Sequence, residues 1–175
     1  MKKFIAFLVV AVLMMASMGS AAYAAQPMPT TLVDVAIAVN TEGPFAGSFD
    51  TLIAAVLAAD PAVLKTLSGR GQFTVFAPTD DAFAALGLTP DNIGAALDQD
   101  TLTQILLYHV ARGRRDAADV LDSSRIRTLQ RGFLMQEGGV LTDKLGRTAN
   151  IIVTDVPATN GIIHAIDAVV LPFAP

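Results

Sequence analysis

The chain has 175 residues, with 12 Lys and Arg against 16 Asp and Glu, a formal charge of −4 at neutral pH, and neither Cys nor Trp. A domain of this length buries roughly 68–70% of its unfolded surface without staples, and the lack of thiols removes disulfide, thiol-redox and cysteine-nucleophile chemistry. Mild acidity, with no aromatic residues interleaved among the arginines, argues against nucleic-acid binding.

Lys2-Lys3, an apolar run from Phe4 to Met15 and the small-residue end Ala22-Tyr23-Ala24 have the three parts of a secretory signal peptide, with cleavage near Ala24. The run is short of the roughly 20 residues that a membrane-spanning helix needs, no second run occurs, and no Cys follows it for a lipid anchor. The expectation is a signal peptide over 1–24, a short leader over 25–30 and one domain over 31–173, secreted to the periplasm or outside the cell without a transmembrane anchor. Removing Lys2 and Lys3 leaves ten basic against sixteen acidic side chains, a formal −6.

Leu32, Val33, Ala36 and Ile37 fall at helical spacing, and the turn-rich TEGPFAG of 41–47 separates them from a second helix. There Phe49, Leu52, Ile53, Val56 and Leu57 recur at i, i+3, i+4, i+7 and i+8 and predict an amphipathic stripe. Pro61 opens a short helix through Leu67, closed by Ser68-Gly69-Arg70-Gly71. A strand from Phe73 must end at Ala77-Pro78, because proline has no N–H for a ladder and disfavours helix at the residue before it. Thr79 then reads as an N-cap, with Asp80 and Asp81 in the first turn and Phe83 turned to the core.

Thr89-Pro90-Asp91 predicts the start of a helix to about Leu97, and Thr101 the start of another, with Leu102, Ile105, Leu106 and His109 on one stripe. Asp116 to Leu121 reads as a helical turn. From Arg125 onward the pattern is extended, with strands over 126–129, 133–136, 140–142, 150–154 and 162–171 and a hairpin turn at Gly138-Gly139. Asn160-Gly161 reads as a turn tolerating positive φ. The last strand is apolar on both faces, with Ile162, His164 and Ile166 on one and Ile163, Ala165 and Asp167 on the other, so it belongs inside a sheet or sandwich. Helices first and strands second define an α+β domain, without internal repeat.

His109 and His164 are the two histidines. Asp167 points away from His164, which makes the pair poor metal ligands, and a metal needs three or four convergent groups, so neither metal nor cofactor is expected. Of Ser48, Ser68, Ser123 and Ser124, none lies in G-x-S-x-G or S-x-x-K, and Gly69-Arg70-Gly71 lacks the third glycine of a dinucleotide loop. Asp80 and Asp81 diverge by about 100° on a helix. No catalysis is expected, and His164 reads as a buried, hydrogen-bonded side chain. Arg112, Arg114, Arg115, Arg125, Arg127 and Arg131 fall within twenty positions and, against Asp116, Asp119 and Asp122, net +3 in an acidic chain. Such a segment suits an anionic polysaccharide, lipid headgroup or acidic protein; the alternative is an ordinary solvated face.

Three segments, FTVFAPTDDAF at 73–83, LLYHV at 106–110 and NGIIHAIDAVVLP at 160–172, closely resemble the motifs of the fasciclin-like FAS1 domain family, over a span from about Thr31 to Pro172. The resemblance implies a wedge-like β-sandwich of about seven strands decorated by several helices, and a non-catalytic secreted or surface-attached module of adhesion, biofilm or envelope organisation. It implies a protein, surface polysaccharide or other anionic surface component as partner, and a monomer or weak homo-oligomer. In the family the tyrosine-histidine signature is linked to adhesion through integrin-type receptors, so Tyr108 and His109, with the neighbouring Arg112, Arg114 and Arg115, are candidate partner-binding residues. The competing reading has Tyr108 packing its ring and His109 bonding a carbonyl at the helix end. Pro78, Thr79, Asp80, Phe83, Asn160, Gly161, His164 and Asp167 form the structural part of the motifs. A carrier of a small apolar or lipid ligand is the alternative function, and it requires a sizeable apolar pocket.

Overall fold

The computed structural model describes residues 31–174; the expected signal segment and leader lie outside them. Helices α1 (Leu32–Thr41), α2 (Asp50–Ala58) and α3 (Pro61–Leu67) come first. Thr31 and Asp34 close a reciprocal capping box on α1, and Asp60 caps α3 ahead of Pro61. Strand β1 (Phe73–Pro78) is buried end to end. After it come α4 (Asp80–Ala84), α5 (Ile93–Ala96), α6 (Gln99–Tyr108), β2 (Val110–Arg112), α7 (Ala117–Asp122), β3 (Arg125–Arg127), β4 (Phe133–Glu137), β5 (Val140–Thr142), β6 (Thr148–Ala158) and β7 (Gly161–Ile166).

The seven strands lie in the order β2-β1-β7-β6-β5-β4-β3, with β1 and β7 parallel and the other neighbours antiparallel. Strand β6 serves two leaflets. Its first residues, Thr148 to Asn150, pair with β5; from Ile151 it pairs with β7, with register shifts at Val153 and Val156 that bend the strand. The sheet therefore folds over on itself, and β2 meets β3 at a single bridge, Ala111–Thr128, without closing a barrel. This is the wedge-like β-sandwich expected, within an α+β domain.

Phe76, Tyr108, Ile126, Leu134, Leu141 and Ile166 fill the space between the leaflets. Phe49, Leu52, Ala55, Val75, Leu102, Ile105 and Ile163 form a second core between β1–β7 and the helices. Because β7 has helices on one side and the other leaflet on its reverse, it must be apolar on both faces: Ile163 and Ala165 join the helical core, while Ile166 joins the inner one.

Several elements differ from expectation. Helix α5 starts at Ile93 because Asn92 Oδ1 accepts the Thr89 N–H and holds 89–92 as a turn. Helix α6 starts at Gln99 because the Asp98 carboxylate caps it, accepting from the Thr101 N–H. β2 has no signal of its own; it is three residues drafted by β1. β7 ends at Ile166, since the Asp167 carboxylate is taken by Asn150. On α2 the buried line runs through Thr51, Leu52 and Ala55, and Leu57 is 70% exposed. Gly138 and Gly139 do carry positive φ, 58° and 88°, at the tight β4–β5 turn.

Candidate functional site

The motif residues act across long sequence distances. Pro78 ends β1 as expected, and Thr79 stands at the N-cap position of α4, but its side chain makes no capping bond. Asp80 reaches back instead and caps α2, accepting the Asp50 N–H (3.1 Å) and the Thr51 N–H (2.8 Å). Phe83 is buried against the helices. The chain does turn at Thr159-Asn160, between β6 and β7, but neither Asn160 nor Gly161 has left-handed backbone. Asn160 is a buried connector: Oδ1 accepts the Leu32 N–H at the start of α1 (2.7 Å), and Nδ2 donates to the Leu67 (2.7 Å) and Gly69 (2.9 Å) carbonyls after α3. Gly161 is needed for space, since a methyl there would overlap the Phe73 carbonyl oxygen on the neighbouring strand.

His164 is fully buried, its ring stacked on Phe76 at 5.8 Å. Nε2 donates to the Arg115 carbonyl (2.9 Å) and Nδ1 accepts the Asp155 N–H (3.3 Å). Asp167 accepts from the Asn150 backbone and amide side chain, both at 2.7 Å. Neither His164 nor Asp167 faces the other, and among the described residues no three His, Asp or Glu side chains converge as metal ligands.

Tyr108 and His109, candidates either for partner contact or for internal packing, have almost no surface: Tyr108 is 0% and His109 3% exposed. The Tyr108 hydroxyl donates to the Phe133 carbonyl (2.6 Å) and accepts the Lys144 N–H (3.2 Å), which joins α6 to both strands at the open end of the β4–β5 hairpin. Burial pushes its phenol up. His109, at the C-cap of α6, donates from Nδ1 to the Ile105 carbonyl (2.8 Å) and accepts the Val170 N–H at Nε2 (3.2 Å). Only the neutral imidazole can do both. Burial pushes its pKa down to about 4, against a smaller opposing pull from the Ile105 bond.

The next N–H along, that of Leu171, goes to Asp143 Oδ2 (2.9 Å). Asp143 also pairs with Arg147 through Nε (2.9 Å) and Nη2 (2.7 Å) and accepts the Leu145 N–H (2.8 Å). Burial opposes its charge, but the bonds from Leu171, Arg147 and Leu145 outweigh it and hold the carboxyl below the usual carboxylate range. The tyrosine-histidine signature thus pins the C-terminal segment and the second leaflet to α6.

The arginines divide into two groups. Arg114 Nη1 donates to the Ala158 (3.1 Å) and Gly161 (3.3 Å) carbonyls on the β6–β7 hairpin. Arg115 is half-buried, with Nη1 on Ser123 Oγ (3.2 Å) and its N–H on Thr74 Oγ1 (2.9 Å). Arg115 is thus tied inward, whereas Arg114, though bonded to the hairpin, remains exposed. Arg112, Arg125, Arg127 and Arg131 are exposed. The Ala111–Thr128 bridge turns those two side chains inward, so the residues beside them, Arg112 and Arg127, stand together on the outer side of the seam. On that outer side Arg125 lies opposite Met135, and Arg127 opposite Phe133. The Arg125 guanidinium sits 4.3 Å from the Phe133 ring centre. Phe133 and Met135 are 40% and 50% exposed. Among the described residues the one ion pair is Asp143–Arg147, so none of these four arginines is paired with a carboxylate. The sequence singled out the run of arginines but could not sort its members, because that depends on strand faces for Arg125 and Arg127 and on distant partners for Arg114 and Arg115.

The Fasciclin domain family model matches residues 47–172, and the chain belongs to that family. It is 42% identical over 153 residues to Protein sll1483 of Synechocystis sp., spanning 85% of this chain and 77% of that one. It is 35% identical over 136 residues to transforming growth factor-beta-induced protein ig-h3 of Sus scrofa, spanning 71% of this chain and 18% of that protein. With the cell surface glycolipoprotein MPB83 of Mycobacterium bovis it shares 31% identity over 133 residues, 75% of this chain and 58% of that one. Among solved structures it is similar to a FAS1 domain pair from the insect cell adhesion molecule fasciclin I, with a TM-score of 0.57 and 25% identity over 71% of this chain and 45% of that one. The chain spans less than half of that solved chain. Domains of this family are associated with cell adhesion and surface proteins and are generally non-enzymatic. Among the described residues no helix is long and apolar enough to cross a membrane.

Proposed function

We propose that this is an exported, non-catalytic fasciclin domain that mediates interaction at the cell surface, and that the outer face of β3 and β4 docks an acidic protein or an anionic surface polysaccharide. The observation that carries this is the set of unpaired arginines beside exposed Phe133 and Met135. Like charges set opposite each other across neighbouring strands are destabilising, and Arg112 and Arg127 stand that way with no carboxylate between them. An anionic partner relieves that repulsion. Arg, Phe and Met are also the side chains enriched at protein interfaces. Charge on an edge strand discourages aggregation, but that role calls for no exposed Phe and Met alongside. Export rests on the signal-type segment over 1–24.

The test is capture of envelope components by the immobilised mature protein. Arg125→Glu with Arg127→Glu is expected to reduce capture about tenfold or more with unchanged melting, whereas Lys65→Glu with Arg70→Glu, on the helical side, leaves it intact. Equal capture by all three proteins overturns the assignment.

A further inference from the structure

The amphipathic patterns of α1 and α2 specify more apolar face than the fold covers. Across an opening between these helices, Ile37 remains 46% and Leu57 70% exposed, while Val33, Ile53 and Val56 are half-buried. Below them a cleft of about 130 Å³ runs down to the floor at Val75 and Phe76. A second cleft, of about 320 Å³, opens beneath α4, α5 and α6, lined by Leu86, Leu88, Ala96 and Leu97 among others. The two share a wall, since Leu52, Leu106 and His109 line both.

We propose that the two clefts form one ligand site, which takes the hydrocarbon chain of a lipid-like molecule and leaves its polar head in solvent. No residue lining either cleft carries a formal charge except in the event of His109 protonation. Both His109 ring nitrogens are already committed to Ile105 and Val170, so no side chain of the wall is free to select a hydrogen-bonding body. Apolar cavities of about 150 Å³ stay dry and accept a benzene-sized group, and small-molecule pockets occupy roughly 300–1,000 Å³. The second cleft falls in that range by itself, and the first has about the size of such a dry cavity. A macromolecular partner is the wrong occupant: a helix is about 10–12 Å across with its side chains, and stable association needs on the order of 1,000 Å² of interface, neither of which clefts of this size provide. Within the shared wall His109 is held by its two hydrogen bonds, and a change of rotamer at the aliphatic Leu52 and Leu106 is the movement that joins the clefts for a chain.

Decan-1-ol is the probe, because its uncharged head has no affinity for the arginine face. Titrated into the folded protein and followed by methyl NMR, it is expected to shift Ile53 and Leu64 in one cleft and Leu97 in the other with a single saturation curve, leaving Leu134 and Leu141 inside the sandwich unmoved. Leu57→Asp at one mouth and Ala96→Phe at the other, both at exposed positions, are each expected to weaken binding about tenfold with melting retained. The proposal is overturned by the absence of saturable shifts, by shifts confined to one cleft, by equal shifts at Leu134 and Leu141, or by unchanged affinity in both folded variants.

Discussion

Replacing Asn160 with alanine removes three hydrogen bonds that hold the helical layer to β7. The Leu32 N–H and the Leu67 carbonyl lose buried partners, and the Gly69 carbonyl loses one that is partly solvated. An unsatisfied buried polar group costs about 1–3 kcal/mol. Two such groups, with a smaller loss at Gly69, give roughly 3–4 kcal/mol, a large share of the 5–15 kcal/mol that holds a typical domain together. For a domain of about 150 residues each kcal/mol moves the midpoint by roughly 2–4 °C, so melting is expected to fall by about 10 °C. Circular dichroism measures the shift, and hydrogen exchange at α1 identifies which element loosens. Asn160→Asp serves as the companion: it keeps Oδ1 for Leu32 but sets a carboxylate oxygen against two carbonyls, so it is expected to be no more stable than the alanine variant. A fall of less than about 2 °C for alanine, or wild-type stability for aspartate, would refute the connector role.

Acid weakens the fold through His109. Its pKa is about 4 in the fold and near 6.5 unfolded, so between these values the unfolded chain takes up a proton that the folded one refuses. The contribution is complete above pH 6.5 and is lost as pH falls toward 4, by up to roughly 3 kcal/mol. Urea midpoints from pH 7.5 to 4.5 measure it, and the same decline in His109→Asn would assign the effect to other groups. At Gly161, alanine is expected to destabilise by about 1–3 kcal/mol or more through overlap with the Phe73 carbonyl. Wild-type melting of Gly161→Ala would show that the β1–β7 spacing relaxes freely.

What could be read along the chain was what local chemistry determines. The proline end of β1, the Gly138-Gly139 hairpin, the double-sided β7 and the burial of His164 all follow from side chains within a few residues of one another. The functional detail of the motifs is nonlocal. Asp80 caps a helix thirty residues earlier, and Asn160 joins helices that begin and end far upstream, so neither partner could be inferred from spacing. Strand β2 forms because β1 offers it an edge, not because Val-Ala-Arg favours extension. The arginine run shows the same boundary: composition marks it, but only the folded chain brings the carbonyls of the β6–β7 hairpin to Arg114 and Ser123 to Arg115, while the β3–β4 register turns Arg125 and Arg127 outward. Likewise the amphipathic stripe of α2 was legible, whereas its exposure at Leu57 depends on where α1 lies.

The docking proposed on the β3–β4 face engages an anionic surface component. Its most direct measurement is the salt dependence of capture from envelope fractions by the wild-type protein, at about 50 and 300 mM salt, where the screening length shortens from about 14 to about 6 Å. Electrostatic docking on unpaired arginines is expected to lose capture severalfold at the higher salt, and Arg125→Glu with Arg127→Glu to bring low-salt capture down to that level. Specific capture that is indifferent to both salt and charge reversal would rule out docking on these arginines.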